Sequence, residues 1–64
     1  MQTLIGQQFD VHHAAGVTRY RVECPHRTVG YFECVAVAAV SGTHHFIGSI
    51  SVLARVDIEA QPKA

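Results

Sequence analysis

The sequence has no apolar run long enough to cross a membrane. A membrane-spanning helix needs about 20 predominantly apolar residues, and no stretch of this chain approaches that length. The N-terminus, MQTLIGQQFD, also lacks the basic segment and the long apolar core of a signal peptide. The chain has two cysteines, which in a cytoplasmic protein are usually reduced. These absences predict a cytoplasmic protein with no membrane partner.

An excess of charge of either sign is also missing. Five Lys and Arg residues balance five Asp and Glu residues. Strong non-specific binding to DNA or RNA depends on neutralising phosphates with surplus cations, so this balance disfavours it. Neutrality also removes the repulsion that keeps small proteins apart. A chain of 64 residues is marginally stable alone and often recruits a partner subunit. Charge and length together therefore favour contact with another protein.

Helical periodicity is weak throughout, whereas period-two alternation is strong and β-branched residues are plentiful. This pattern predicts an all-β fold, a small antiparallel barrel of four to five strands with little or no helix. The predicted strands cover residues 5–11, 17–24 and 30–40, a segment that begins near residue 46, and a last strand at 55–59. We expect one domain over residues 1–64, with a frayed tail at 60–64.

The order of these segments resembles an SH3-like small barrel. The stretches IGQQFDV, YRVE, GYFECVAV and VLARVDI fall where such barrels place strands one, two and three, and the 3₁₀ turn with the final strand. The resemblance is architectural and covers about 50 residues. VLARVDI is also similar to the end of plasmid-borne type II dihydrofolate reductases, which are SH3-like tetramers. Phe46, Ile47 and Gly48 replace Gln-Ile-Tyr of that family's active-site segment, so the reductase activity is not carried over.

Charged residues set the expected register between the second and third strands. A register that places Arg21 opposite Glu33 makes an opposite-charge pair and keeps the uncharged face of both strands inward. A shift by two residues would place Glu23 opposite Glu33, which is repulsive. We therefore expect Arg21 to explain Glu33, and we expect Cys24 to face the core together with Cys34.

The third predicted strand, YFECVAVAAV, is apolar on both faces. Its second face carries Glu33 as its only charged residue, although the wet side of a half-buried strand is normally polar. Pairing across the SGT turn places Val37 opposite Ile47 and gathers an outer apolar patch, which usually marks an interface. The predicted interface residues are Tyr31, Val35, Val37, Ala39, His45 and Ile47. The alternative is that the first strand or the C-terminal segment covers this face.

The preferred functional hypothesis is a non-enzymatic, regulatory module that self-associates as a dimer or larger oligomer and binds another protein. By analogy, small barrels of this kind resemble phage or plasmid accessory proteins that block a target. No catalytic motif or glycine-rich phosphate loop appears, and so short a chain leaves little room for a pocket. We therefore expect neither an enzyme nor a cofactor, although a site in the pore of an oligomer stays open.

The alternative hypothesis is a nucleic-acid-binding barrel. Its contact residues would be the basic residues around the second strand and its loop, namely Arg19, Arg21, His26 and Arg27. A metal site is not predicted from the five histidines and two cysteines. CPH is a single Cys-x-His, Cys34 stands alone, and adjacent histidines on a strand point to opposite faces.

Overall fold

The computed structural model describes residues 4–42 and 47–63, which form one antiparallel sheet and one short helix. The strands are β1 (Gln8–His13), β2 (Gly16–Pro25), β3 (Tyr31–Gly42) and β4 (Ile50–Ala54), and helix α1 (Arg55–Ala60) follows directly. The order of the strands in the sheet is their order in the chain. The predicted antiparallel, mainly β architecture is therefore confirmed.

The sheet is open over the described residues and is not closed into a barrel, so β1 and β4 are its two edges. The C-terminal segment occupies the edge of β1. The Asp10 N–H donates to the Pro62 carbonyl at 3.0 Å, and Phe9 bridges to Lys63. To close a barrel, β1 would have to pair with another strand at this edge, where the C-terminal segment already bonds to it. It also holds the tail, which was predicted to fray, against the sheet as far as Lys63.

Residues 55–59, predicted as the last strand, lie in α1. Within this helix only Ile58 is buried, and Val56 remains 70% exposed. One helical turn thus buries Ile58, and the backbone of these residues needs no neighbouring strand to pair with. The alternation of apolar residues in this segment is too short to distinguish a helix from a strand. The Arg55 N–H donates to the Gly30 carbonyl at 2.8 Å, and its guanidinium lies 5.2 Å from the centre of the Phe32 ring. These contacts fix the point where the strand ends and the helix begins.

The core lies on one side of the sheet, which we call the inner face. The strands contribute alternate residues to it, and Phe9 of β1 stacks on Tyr20 of β2 with ring centroids 5.9 Å apart. Leu4, from before β1, and Ile58, from α1, cover these residues. The buried apolar cluster consists of Leu4, Phe9, Val22, Phe32, Cys34 and Ile58. From Phe32 to Ala36, the uncharged face of β3 therefore points inward, as its alternation predicts.

β2 and β3 pair two residues away from the predicted register. Arg21 lies opposite Val35, so the prediction that it faces Glu33 is wrong. A two-residue shift without a bulge would place Glu23 opposite Glu33. A β-bulge makes Glu23 an extra residue, so Cys24 takes the position opposite Glu33, and Arg21 forms an ion pair with Glu23. The bulge also turns Cys24 outward, so it is exposed rather than buried.

β3 and β4 pair one residue out of the predicted register. β3 continues to residue 42, through the start of the predicted SGT turn, and Val35 rather than Cys34 lies opposite Ile50. A slip of one residue exchanges the two faces of a strand. Leu53 of β4 therefore packs on the core, whereas Ile50 and Val52 point to the opposite, outer face.

The irregularity that accompanies this slip lies at Gly48. The Gly48 N–H donates to the Ala36 carbonyl at 2.7 Å, while the Ala36 N–H donates to the Ser49 carbonyl at 3.0 Å. Two consecutive residues thus bond to one residue of β3. Gly48 has a φ of 92°, a left-handed conformation that glycine adopts without strain. A residue with this freedom can redirect the chain into β4.

The opposite end of the sheet is closed by two glycines. Gly16 and Gly42 are paired across β2 and β3, with φ values of 140° and 85°. A Cβ on Gly16 would overlap the Ser41 carbonyl oxygen, and one on Gly42 would overlap the Ala15 carbonyl oxygen. Backbone therefore meets backbone here, and only glycine fits at either position.

Candidate interaction surface

The outer face carries a group of neighbouring apolar side chains on β3 and β4, which we call the outer patch. It consists of Tyr31 and Val35 of β3 and Ile50 and Val52 of β4. Ile50 is 66% exposed, Val52 45% and Tyr31 43%, whereas Val35 is half-buried. Val35 lies directly opposite Ile50, a position in which cross-strand side chains touch. Val52 lies directly opposite Glu33, so the outer patch is a group of neighbouring apolar side chains around one carboxylate.

The described residues leave this patch open to solvent. β1 lies at the far edge of the sheet, and the C-terminal segment runs along β1. Helix α1 directs Ile58 into the core on the inner face. The first strand and the C-terminal segment were the two alternatives expected to cover this face, and neither lies over Ile50 and Val52.

The structure brings two of the six predicted interface residues into the outer patch, Tyr31 and Val35. Val37 is half-buried and is the extra residue of a bulge in β3. Beyond this bulge, Ala39 lies opposite Thr18, which is buried, so Ala39 belongs to the inner side. Ile47 is 55% exposed in the turn before β4 and is not paired with Val37. His45, the sixth residue, lies outside the described residues.

Sequence reasoning missed Ile50 and Val52 as surface residues. Both belong to an alternating run, and the run continued from Phe46 on the side expected to face the core. The available signal was the isolated Gly48, because a lone glycine in a strand pattern often marks a bulge. The alternation of apolar and polar residues alone does not show which face of the strand points outward after such a bulge.

Two ion pairs lie on the part of the outer face that β1 and β2 form. Arg19 of β2 bonds to Asp10 of β1 with Nε 2.9 Å from Oδ1, and Arg21 pairs with Glu23. The hydrogen bond from Arg19 lowers the pKa of Asp10, and Asp10 in turn raises the pKa of Arg19. The outer patch thus borders a polar surface whose charges cancel locally.

The cations of the nucleic-acid alternative do not form an unneutralised surface. Arg19 and Arg21 carry the carboxylate partners just described, and the Nδ1 atom of His26 lies 3.2 Å from Oε2 of Glu33. Arg27 is exposed in the loop after β2 and has no ion pair within residues 4–42 and 47–63. A phosphate backbone would have to compete with three carboxylates for these cations.

Cys24, Glu33 and His26 meet at the edge of this surface. The Cys24 thiol donates to Oε1 of Glu33 at 3.7 Å, and His26 contacts the other oxygen of the same carboxylate. Partial desolvation, followed by the charge of Glu33, raises the pKa of the Cys24 thiol. A nucleophilic cysteine needs a lowered pKa and a base that reaches its sulfur. This arrangement instead keeps the thiol protonated.

Comparison with protein-family models, with curated proteins and with solved structures finds no match for this chain. Within the described part of the chain, no helix has the length and apolar character that crossing a membrane requires.

Proposed function

We propose that this chain is a non-enzymatic protein-binding module that self-associates, most simply as a dimer, through its outer patch. The observation that supports the proposal is the exposure of Ile50, Val52 and Tyr31 on one open sheet face, around the carboxylate of Glu33. Contiguous apolar surface on a small protein usually marks an interaction site. The nearby ion pairs are internally neutral and the whole chain has no net formal charge, so two copies do not repel each other.

The size of the patch limits what side-chain burial can contribute. Fully burying a large apolar side chain gains about 1.5–3 kcal/mol. Scaled by the exposed fractions of Ile50, Val52 and Tyr31, this gives roughly 3 kcal/mol per copy, or about 6 kcal/mol for two copies. Association costs at least about 4 kcal/mol. The outer patch therefore favours a weak complex by itself, and a stable one needs further contacts.

The other parts of the sequence-based hypothesis stay predictions within this proposal. They are an SH3-like relationship, a second protein that the module would regulate or block, and a cytoplasmic setting, which suits the free thiols of Cys24 and Cys34. Nucleic-acid binding through Arg27 and its neighbours is less favoured, because carboxylates accompany the other three cations of that group.

Sedimentation velocity over a wide range of protein concentration tests the proposal. We expect the wild-type chain to associate as its concentration rises, and we expect Val52→Asp to weaken association at least tenfold, because it would bury a charge. Val29→Asp is the matched control, since Val29 is 95% exposed in the loop after β2 and lies outside the outer patch. Circular dichroism would verify that both variants fold.

Two results would contradict the proposal. One is a wild-type chain that remains monomeric at the highest concentration reached. The other is an associating wild type that Val52→Asp and Val29→Asp weaken equally.

A further inference from the structure

The two edges of the sheet differ in how they are covered. Along β1, the Asp10 N–H bonds to the Pro62 carbonyl and Phe9 bridges to Lys63, so the C-terminal segment uses the free backbone groups. Within the described residues, β4 pairs with β3 on one side and with no strand on its other side. β4 reads ISVLA, without a charge, a proline or a glycine. Natural edge strands usually carry such residues to prevent pairing with another chain.

The hydrogen-bond pattern identifies which groups of β4 point away from the sheet. The Ala36 N–H bonds to the Ser49 carbonyl, and the Arg55 N–H bonds to the Gly30 carbonyl. Bonding residues alternate along an antiparallel strand. The residues between these two points that bond to β3 are therefore Ser51 and Leu53. The N–H and C=O groups that point outward are those of Ile50, Val52 and Ala54.

We propose that a second copy of this chain adds to β4 in antiparallel orientation and continues the sheet from four strands to eight across the junction. The inference depends on the proposed self-association and specifies how the two copies meet. An extended strand from another chain can bond to all of these outward-facing groups at once, because only a strand places its N–H and C=O groups at the same spacing. These bonds supply the contacts that the outer patch alone lacks.

One register uses the whole of β4 in both copies. If Val52 lies on the two-fold axis, it pairs with the partner's Val52, and Ile50 pairs with the partner's Ala54. All three outward-facing residues then bond, which gives about six backbone hydrogen bonds. Moving the axis to Ser51 or Leu53 leaves one outward-facing residue of each copy without a strand residue opposite it. A symmetric dimer is the commonest assembly of identical chains, and Val52 is its natural centre here.

Side chains on both faces are compatible with this register. On the outer face, Val52 of each copy would lie beside the other, so the two outer patches would join into one apolar strip across the junction. On the inner face, Ser51 would lie opposite the partner's Leu53. No charged residue of β4 meets another, because β4 contains none. A self-complementary strand present in every copy makes a second copy the simplest partner.

A pair of variants tests the backbone contact separately from the apolar contact. Val52→Pro removes an N–H that points away from β3, and proline is tolerated on an edge strand when it removes no bond of the sheet itself. We expect it to weaken association at least tenfold in sedimentation velocity, with an unchanged far-UV circular dichroism spectrum. Val52→Thr keeps the N–H and the β-branched shape, so it should associate far better than Val52→Pro.

A cross-link tests the register and does not depend on how the proline variant folds. In a Cys24→Ser background, Val52→Cys would place two cysteines at the centre of the junction, about 5.5 Å apart between Cα atoms, which suits a disulfide. Mild oxidation should convert most of this variant to a covalent dimer on a non-reducing gel. Val29→Cys in the same background is the control, and we expect it to remain mostly monomeric.

The possible failures are distinguishable. A monomeric wild type overturns both proposals and leaves the β4 edge to an extended segment of a different protein. An associating wild type whose Val52→Cys variant does not cross-link faster than Val29→Cys overturns the edge pairing alone. In that case, stacking of two outer faces would explain the association.

Discussion

The buried Cys34 thiol makes the stability of this fold sensitive to alkaline pH. Cys34 has no exposed surface, and its sulfur lies 3.8 Å from the Phe32 carbonyl oxygen. Burial, with a smaller contribution from Cys24, raises the pKa of Cys34 from 9.0 to about 11. In the unfolded chain the thiol ionises above its ordinary pKa. Its contribution to stability is therefore fully present below pH 9 and is lost as the pH rises towards 11.

The size of the loss follows from one proton. Between the two pKa values the folded chain holds a proton that the unfolded chain has released, so the free energy of unfolding falls by about 1.4 kcal/mol per pH unit. Over two units the loss is about 3 kcal/mol. A domain of this size has a total stability of only about 5 kcal/mol, so this loss would leave a free energy of unfolding of about 2 kcal/mol near pH 11.

Urea unfolding followed by circular dichroism between pH 8 and 11 measures this loss. The informative quantity is the difference between the wild type and Cys34→Ala, because any other effect of alkaline pH acts on both proteins. We expect the variant to be less stable at pH 8, because it leaves a small cavity, and to lose less stability on the way to pH 11. Parallel curves for the two proteins would refute the idea that burial holds this thiol neutral.

Two further predictions concern the glycine contact and the exposed thiol. Gly42→Ala should lower the free energy of unfolding by at least about 2 kcal/mol, because its Cβ would overlap backbone. Gly6→Ala, at a similar φ but with open space around its Cβ, should cost only about 1–2 kcal/mol in urea unfolding; equal losses would contradict the close packing. Glu33→Gln should make Cys24 react faster with iodoacetamide at pH 8, measured by mass spectrometry, because the charge that raises its pKa is removed. Glu59→Gln, on α1, is the control, and equal rates in the two variants would show that Glu33 does not act on the thiol.

Regular alternation made much of the sheet predictable from the sequence. Of the side chains expected to face inward in β2 and β3, Tyr20, Val22, Phe32 and Cys34 lie in or against the core, whereas Cys24 does not. Burial decides this outcome, because only one face of these strands is free of charge. The outward positions of Arg19 and Arg21 follow from the same pattern.

The bulges at Glu23 and Val37 were not predictable, and both changed an assignment that depended on counting residues. The extra residue at Glu23 turned Cys24 outward, and the extra residue at Val37 moved Ala39 to the inner side. A bulge leaves the composition of a strand unchanged and shows only in its pairing partner, which alternation along one strand does not specify. Helix α1 was missed for a similar reason, because its single buried residue, Ile58, fits a strand equally well.

The one-residue slip between β3 and β4 determines whether this protein has an interaction surface of any size. If the pairing predicted for Val37 and Ile47 continued through Gly48 without a bend, Ser49, Ser51 and Leu53 would point outward and Ile50 would lie in the core. The slip reverses this and places two β-branched residues outward, on the same strand whose backbone faces the free edge. Apolar side chains and unpaired N–H and C=O groups thus come from the same residues, Ile50 and Val52. A partner strand that bonded to these groups would also place its own Val52 beside Val52 of the first copy, so backbone and side-chain contacts would form together at this edge.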